Sequence, residues 1–569
     1  MHKTWKIQPR PLPKSLAMLG KYSQNHIVSS LLINRGIQTE DEADYFFNPS
    51  LQNLYDPFQL KDMKKAVDRI EKAIQENEKI LFYGDYDVDG TTSVAMIWLF
   101  FQQQLGYKNI GYYIPDRYTE GYGVSSLGIE RAAENGYKLI ISLDCGIKSA
   151  DRIMMAQSKG IDFIICDHHL PDDIIPDAVA ILNPKQPDCT YPYKELSGCG
   201  VAFKMLQAIA LNKNISSESV LSYLDLVAVS TCCDIVPIRD ENRILVHFGL
   251  KKLNTSPSAG LASIIKTTRL DHHFTVEDVV FIIGPRINAA GRIKHGSGAV
   301  DLLISGKSDP DIEALTNQLN QHNITRKELD KQTTKEALQM ITANAEWHEN
   351  ASSTVLFHPE WHKGVVGIVA SRVIETHYKP TIILTESNGK ATGSARSVRE
   401  FDIHAAISRC AHLLDNYGGH IHAAGLTMPI ENVEAFRQAF DKVVKETWPP
   451  FIRKPVVNID EEISLEDINE SFFNLLQQFA PFGPENMDPV FLTRNLHASR
   501  WTKIVGENHL KLYVTQGKKQ TPSFAGIAFK QGTHLERIQK GDAFHLVYGL
   551  RINEWNGKKS IELDVKDIR

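Results

Sequence analysis

Asp85, Asp87 and Asp89 in KILFYGDYDVDG, Asp144 in LIISLDCG, Asp167, His168 and His169 in FIICDHH, and Asp234 in LVAVSTCCDIVP all stand at the ends of apolar runs. Carboxylates crowded into one crevice repel one another unless cations sit among them. A donor set rich in oxygen, with one or two imidazoles, suits Mn²⁺ or Mg²⁺ better than zinc. Two such ions about 4 Å apart, bridged by a carboxylate, are a standard device for in-line attack on phosphorus. The chemistry open to these residues is therefore metal-assisted hydrolysis of a phosphoester.

The elements that must position them follow from the same segments. Each apolar run is read as a buried strand of a parallel sheet, and the C-terminal ends of such strands are where open α/β sheets build their sites. In DYDVDG the aspartates alternate, and a strand turning sharply at Gly90 would aim successive carboxylates into one crevice. Asp144 precedes Cys145 and Gly146 at a strand-to-loop transition, and Asp234 is expected to repeat that arrangement. An EF-hand does not fit DYDVDG, because an apolar strand precedes it and no glutamate occupies the twelfth loop position. Alone, DYDVDG could be a solvated turn and the Asp-His-His run a polar strand end; the convergence of all four segments favours a shared site. Cys145, Cys166, Cys232 and Cys233 are read as small buried hydrophobes rather than ligands.

At 569 residues with a net charge of −5, the chain is too long for one core and is of ordinary globular composition. No apolar run approaches the roughly 20 residues needed to span a bilayer, and the opening MHKTWKIQPRPLPKSL is expected not to be a secretory signal. Seven cysteines without paired metal-finger spacing favour reduced thiols and a cytoplasmic setting. The net charge leaves nucleic acid open as a ligand, since a local basic groove suffices. Residues 1–60 read as a helical, proline-punctuated extension. Over 61–305 helical patterns alternate with short strands, as in a doubly wound α/β domain. The segment 306–345, with Ile312, Leu315, Leu319, Leu329 and Leu338 at sparse helical spacing and no Gly or Pro between Ile312 and Leu338, reads as an extended connecting helix, with a second α/β domain over 346–446. The tail, 455–569, alternates cleanly at Phe544, Leu546, Tyr548, Leu550 and Ile552, then turns at Asn556-Gly557, which fits a small barrel of the oligonucleotide-binding type.

The motifs DYDVDG, LDCG, CDHH and CCDIVP resemble the four signatures of the DHH phosphoesterase superfamily, and GGHIHAAG resembles the signature of its associated second domain. With IPDRYTEGYG, GPRINAAGR, HKGVVGIVASR and GSARS, nearly the whole chain is similar to the bacterial single-strand-specific 5′-to-3′ exonucleases of that superfamily. The resemblance implies two ions, Mn²⁺ or Mg²⁺, bridged by Asp144, with Asp85 and Asp87 on one and Asp89, His168 and Asp234 on the other. It implies that His169 faces the scissile phosphate or orients the ligands, with Asp167 behind them. It assigns Arg117, Ser394 and Arg396 to the 5′-terminal phosphate, for which guanidinium forks and a hydroxyl are suitable partners. For Arg117 alone, a surface salt bridge is the plain alternative.

HKGVVGIVASR reads as a loop turning into a helix whose free N–H groups could hold a phosphate. GGHIHAAG would let the main chain approach a ligand, with His420 as a donor; tight helix packing is the alternative for both. Arg286, Asn288 and Arg292 are expected along the strand's path. In the tail, Trp555 at the turn is the stacking candidate, with Tyr513 and Phe529 near Lys503, Lys511, Lys530, Lys558 and Lys559, whereas Tyr548 is in phase with the apolar face and read as core. The expected protein is a processive, monomeric exonuclease of single-stranded DNA releasing 5′-mononucleotides in recombination and repair, selective through a channel too narrow for duplex. The resemblance adds a helicase and the single-strand-binding protein as partners. Two other readings are an enzyme for pyrophosphate, short oligoribonucleotides or cyclic dinucleotides, and a catalytically dead scaffold; the connecting helix and tail oppose the first, the complete ligand set the second.

Overall fold

A computed structural model of the chain describes residues 3–450, 453–517, 522–555 and 557–569, with the side chain of Trp555 outside the described set. Packing divides the chain into two units: Lys6–Gly291 with His295–Leu319 and Asn458–Arg569, and Asn320–Val457 with Met1–Trp5 and Arg292–Lys294.

The first unit is built on a five-stranded sheet of β1 (Ile80–Gly84), β2 (Ile110–Tyr113), β3 (Leu139–Leu143), β4 (Asp162–Cys166) and β5 (Ala180–Leu182), in the order β2-β1-β3-β4-β5. Every pairing is parallel. β1 and β3 are buried at all five positions, as expected of strands covered by helices on both faces. The order reverses between β1 and β3, which makes their carboxyl ends a topological switch point, where such sheets open a crevice. Gly84 pairs with Leu143, Leu143 with Cys166 and Cys166 with Leu182. That register makes Asp85, Asp144 and Asp167 leave the sheet at one edge.

Two local expectations are corrected. The run before Asp234 is not a strand: Leu224–Cys233 is an α-helix, α1, with Asp234 as its C-cap. It is buried on every side except at Cys233, and an apolar segment without alternation carries no period to separate buried helix from buried strand. Nor does the chain turn at Gly90. Asp87 caps a helix, α2 (Val88–Gln103), whose Gly90 N–H donates to the Asp87 carboxylate at 3.1 Å, so Asp89 and Gly90 lie in its first turn. Gly90 is needed for space: a β-carbon there would sit 2.4 Å from the Asp85 carbonyl oxygen.

The C-terminal strands Phe491–Ala498, His509–Gln516, Phe524–Ala528, Phe544–Trp555 and Lys558–Ile568 close into a ring, because the first of them pairs with both the second and the fourth. Tyr548 lies in the barrel core, its hydroxyl 2.7 Å from Thr493 Oγ1. Asn556 of the expected turn lies outside the described residues. The N-terminal helices His26–Asn34 and Glu40–Phe47 share this core through Ile27, Leu31 and Phe46. Arg243 ties the pieces of this unit together, donating to the carbonyls of Phe46, Phe479 and Ala480 at 2.8–2.9 Å while lying 3.8 Å from the Phe46 ring centre.

The second unit takes the helix Ile312–Ala343 from Asn320 onward, and contains a mixed five-stranded sheet. Its strands include Lys390–Arg396, between Thr381–Ser387 and Ala423–Met428, and Asn416–His420 at one edge. Among the described residues no helix is long and apolar enough to cross a membrane.

Candidate metal centre

The edge of the first sheet brings the expected acidic and histidine residues together. Ligand atoms of Asp85, Asp87 and Asp144 lie within 4.8 Å of one another, as do those of Asp89, His168 and Asp234, and those of Asp144, His168 and His169. His168 Nε2 is 3.2 Å from Asp144 Oδ1, 3.5 Å from Asp234 Oδ2 and 3.8 Å from Asp89 Oδ2. Asp144 has φ = 60°, a left-handed backbone uncommon outside glycine. Its N–H donates to the Cys166 carbonyl at 2.9 Å.

The electrostatics of this crevice call for positive charge. Burial first, and then neighbouring carboxylates, push Asp85, Asp87, Asp144 and Asp234 above the usual carboxylate range. His168 is pushed down to about 4, by burial and then by His169. Among the described residues, Asp85 Oδ1, Asp144 Oδ1, Asp234 Oδ2 and His168 Nε2 are buried without a hydrogen-bond partner. Such atoms are costly to bury unsatisfied, and all four belong to the clusters above. Carboxylate oxygen with one buried imidazole is a donor set for Mn²⁺ or Mg²⁺, so the residues fit a divalent cation.

The supporting shell is equally defined. Asp167 accepts from the N–H groups of Ile147, His168 and His169 at 2.7–3.1 Å, and His169 Nδ1 lies 2.7 Å from its Oδ1. Burial opposes ionisation of Asp167, but His169 and these donors hold it below the usual range, and Asp167 in turn raises His169 against the effect of burial. Asp89 is gripped by the N-terminus of helix Gly198–Asn212: the N–H groups of Gly198 and Cys199 donate to it at 2.7 Å, and Ser230 Oγ at 2.6 Å. Gly198 packs directly on Asp144, where a β-carbon would meet that residue's Cβ at 2.7 Å. Gly198 and Cys199 escaped the sequence reading because their role depends on a helix start 109 residues from Asp89, and Ser230, within the quoted LVAVSTCCDIVP, because its partner Asp89 lies 141 residues away. Tyr122 escaped it too, although it lies in the quoted IPDRYTEGYG; its hydroxyl donates to the Asp144 carbonyl at 3.0 Å.

The remaining expected residues are placed as follows. Arg117 lies over the Tyr86 ring, 4.1 Å from its centre, close enough to Asp85 and Asp87 to favour their charged forms. Arg286, Asn288 and Arg292 are on helix Gly284–Ile293, which continues a π-helical turn over Val279–Ile283. Arg286 donates to the Ile282 carbonyl at 2.6 Å. In the second unit, Arg396 donates to Ser394 Oγ at 2.7 Å, beside Gly367 in the first turn of helix Val366–Thr376, and Arg292 Nη1 reaches the Gly364 carbonyl at 3.2 Å. His420 is exposed at the end of its edge strand. On the barrel, Phe529 is exposed beneath Arg551, and Trp501, unnoticed in the sequence, is exposed beside Arg500. Trp555 ends its strand, with its side chain outside the described residues. All seven cysteines are free thiols; Cys145, Cys166 and Cys232 are buried and Cys233 partly so.

A switch-point crevice with this carboxylate and histidine set defines a phosphoesterase of the DHH class, and residues 79–231 match the DHH family N-terminal domain. Residues 350–446 match the DHHA1 domain and 459–567 the RecJ OB domain. The chain belongs to the RecJ family. It is 36% identical over 567 residues to the single-stranded-DNA-specific exonuclease RecJ of Bacillus subtilis, covering 99% of this chain and 70% of that protein. It is 33% identical to the protein of the same name from Escherichia coli, covering 95% of each. Among solved structures it resembles Thermus thermophilus RecJ in complex with Mn²⁺, with a TM-score of 0.85 and 26% identity over all of this chain and 79% of that one. The Mg²⁺ complex of that protein gives 0.79.

Proposed function

We propose that the protein is a metal-dependent exonuclease that hydrolyses single-stranded DNA from its 5′ end, releasing 5′-mononucleotides in cytoplasmic DNA recombination and repair. The observation that carries this is the convergence of Asp85, Asp87, Asp89, Asp144, His168 and Asp234 on one sheet edge, with Asp85 Oδ1, Asp144 Oδ1, Asp234 Oδ2 and His168 Nε2 buried and without a hydrogen-bond partner among the described residues. Asp85 and Asp87 would hold one cation and Asp89, His168 and Asp234 another, with Asp144 between them. Bound there, Mn²⁺ or Mg²⁺ would supply Lewis acidity to the attacking water and the leaving oxygen.

The chain's own groups do the rest. Asp167 fixes the His169 ring, which faces the phosphate or orients the ligands; the helix at Gly198 fixes Asp89; Arg117, beside the carboxylates, carries a phosphate toward them. Arg396, held by Ser394 near a helix start, is suited to a terminal phosphate. His420 is assigned to the strand as a further donor, and Arg286, Asn288 and Arg292 to its backbone. The exposed Phe529 and Trp501, each beside an arginine, suit sequence-tolerant stacking of bases. Trp555 is assigned the same role from the sequence. The protein would act as a monomer beside a helicase and the single-strand-binding protein.

The test follows label released from single-stranded DNA marked at its 5′ or 3′ end, with Mn²⁺, with chelator, and with Asp144→Ala. Immediate release of 5′ mononucleotide that disappears with chelator and in the variant is expected. Early release from the 3′ end overturns the polarity, and release that survives chelation overturns the metal chemistry.

A further inference from the structure

Tyr122 sits between two glycines in left-handed conformations, Gly121 at φ = 84° and Gly123 at φ = 83°. That backbone presents the tyrosine as a tip: the residue is 55% exposed, yet its hydroxyl reaches inward to the Asp144 carbonyl at 3.0 Å. The same oxygen is 3.2 and 3.3 Å from the two ring nitrogens of His169, so it faces the imidazole edge between them. The loop is anchored from behind by the buried Tyr83, whose hydroxyl donates to the Gly123 carbonyl at 3.2 Å and accepts from the Ser125 N–H at 3.0 Å.

Asp144 is where this anchoring matters. Its φ of 60° is disfavoured for a residue with a β-carbon and persists only where the surroundings over-determine it. Its N–H is tied to the neighbouring strand at Cys166, and its carbonyl to Tyr122. These bonds hold the two ends of the residue whose carboxylate takes part in two of the three ligand clusters. Rotation about the Asp144 backbone would swing Oδ1 away from His168 Nε2, now 3.2 Å distant.

We propose that Tyr122 is a positioning residue for the cations: its hydroxyl locks the left-handed backbone of Asp144 and so aims the shared carboxylate. This rests on the two-cation reading above. The side chain serves through its oxygen, so removing only that oxygen is the informative change.

The experiment titrates Mn²⁺ into DNA-free, chelator-stripped protein by calorimetry, for the natural chain, Tyr122→Phe and Asp144→Asn. Loss of a partner behind a metal ligand costs about 10- to 100-fold in metal affinity, so Tyr122→Phe is expected to bind Mn²⁺ about tenfold more weakly. The Mn²⁺ concentration for half-maximal nuclease activity should rise in step, while KM for DNA at saturating Mn²⁺ and the metal-free melting temperature stay unchanged. Unchanged Mn²⁺ affinity in Tyr122→Phe overturns the proposal, whether or not KM for DNA rises. A lowered metal-free melting temperature with weaker Mn²⁺ binding also overturns it, since the hydroxyl would then be structural. If Asp144→Asn binds Mn²⁺ as the natural chain does, the two-cation reading itself fails, and the assignment of Tyr122 with it.

Discussion

Gly198 shows how closely the residues of this centre are fitted. Its N–H donates to Asp89 while its missing side chain leaves room for Asp144, so one position serves two carboxylates. A methyl group there must push the helix start or Asp144 aside. Displacement of a reacting geometry by around 1 Å can cost ~100-fold in rate. Gly198→Ala is therefore expected to retain its fold and lose about 100-fold in kcat on single-stranded DNA, as read in a steady-state assay; activity within threefold of the natural chain would show that the helix start is not critical. Ser230→Ala removes one of three donors to Asp89 and should cost less, because the two main-chain donors remain.

Among the elements, the helix Asp240–Thr255 does more than pack, since its Arg243 binds carbonyls from the N-terminal extension and from the loop that leads into the barrel. Burial, and then the neighbouring Arg35, pushes this guanidinium down to about 9, so it remains charged at neutral pH. Replacing it by methionine keeps bulk but strands several buried carbonyl groups. Each costs ~1–3 kcal/mol when unsatisfied, and Arg243→Met is expected to destabilise the first unit by at least ~3 kcal/mol in urea unfolding. A midpoint unchanged within error would mean that water replaces the guanidinium. By contrast, exposed pairs such as Lys266–Glu313 should contribute ~1 kcal/mol or less.

At the level of the whole molecule, cation binding and folding are linked. Carboxylates held close together in the fold repel one another when charged, and a divalent cation relieves that repulsion only in the folded chain. Mn²⁺ at about 100 times its dissociation constant should therefore stabilise the protein by ~2.7 kcal/mol per site. The expected reading is a rise in melting temperature when Mn²⁺ is added to chelated protein, absent in Asp144→Asn. Equal shifts in both would place the binding elsewhere.

The sequence by itself determined the chemistry: aspartates and histidines at the ends of apolar runs, in motifs specific enough to name a superfamily, needed no coordinates to suggest cations and a phosphoester. It also determined the alternation of helix and strand and the period-two pattern that places Tyr548 in a barrel core, because both are local periodicities. Only the tertiary structure decided that Asp234 caps a helix, since an apolar run buried on all sides carries no phase. It alone placed Gly198, Cys199, Ser230 and Tyr122 behind the ligands, because those contacts join separate segments of the chain, and Gly198, Cys199 and the Asp144 carbonyl take part through main-chain atoms that every residue shares. The joining of the N-terminal helices to the barrel core through Ile27, Leu31 and Phe46 is of the same kind. Local pattern records which face an element buries; what that face is buried against is settled when distant segments meet.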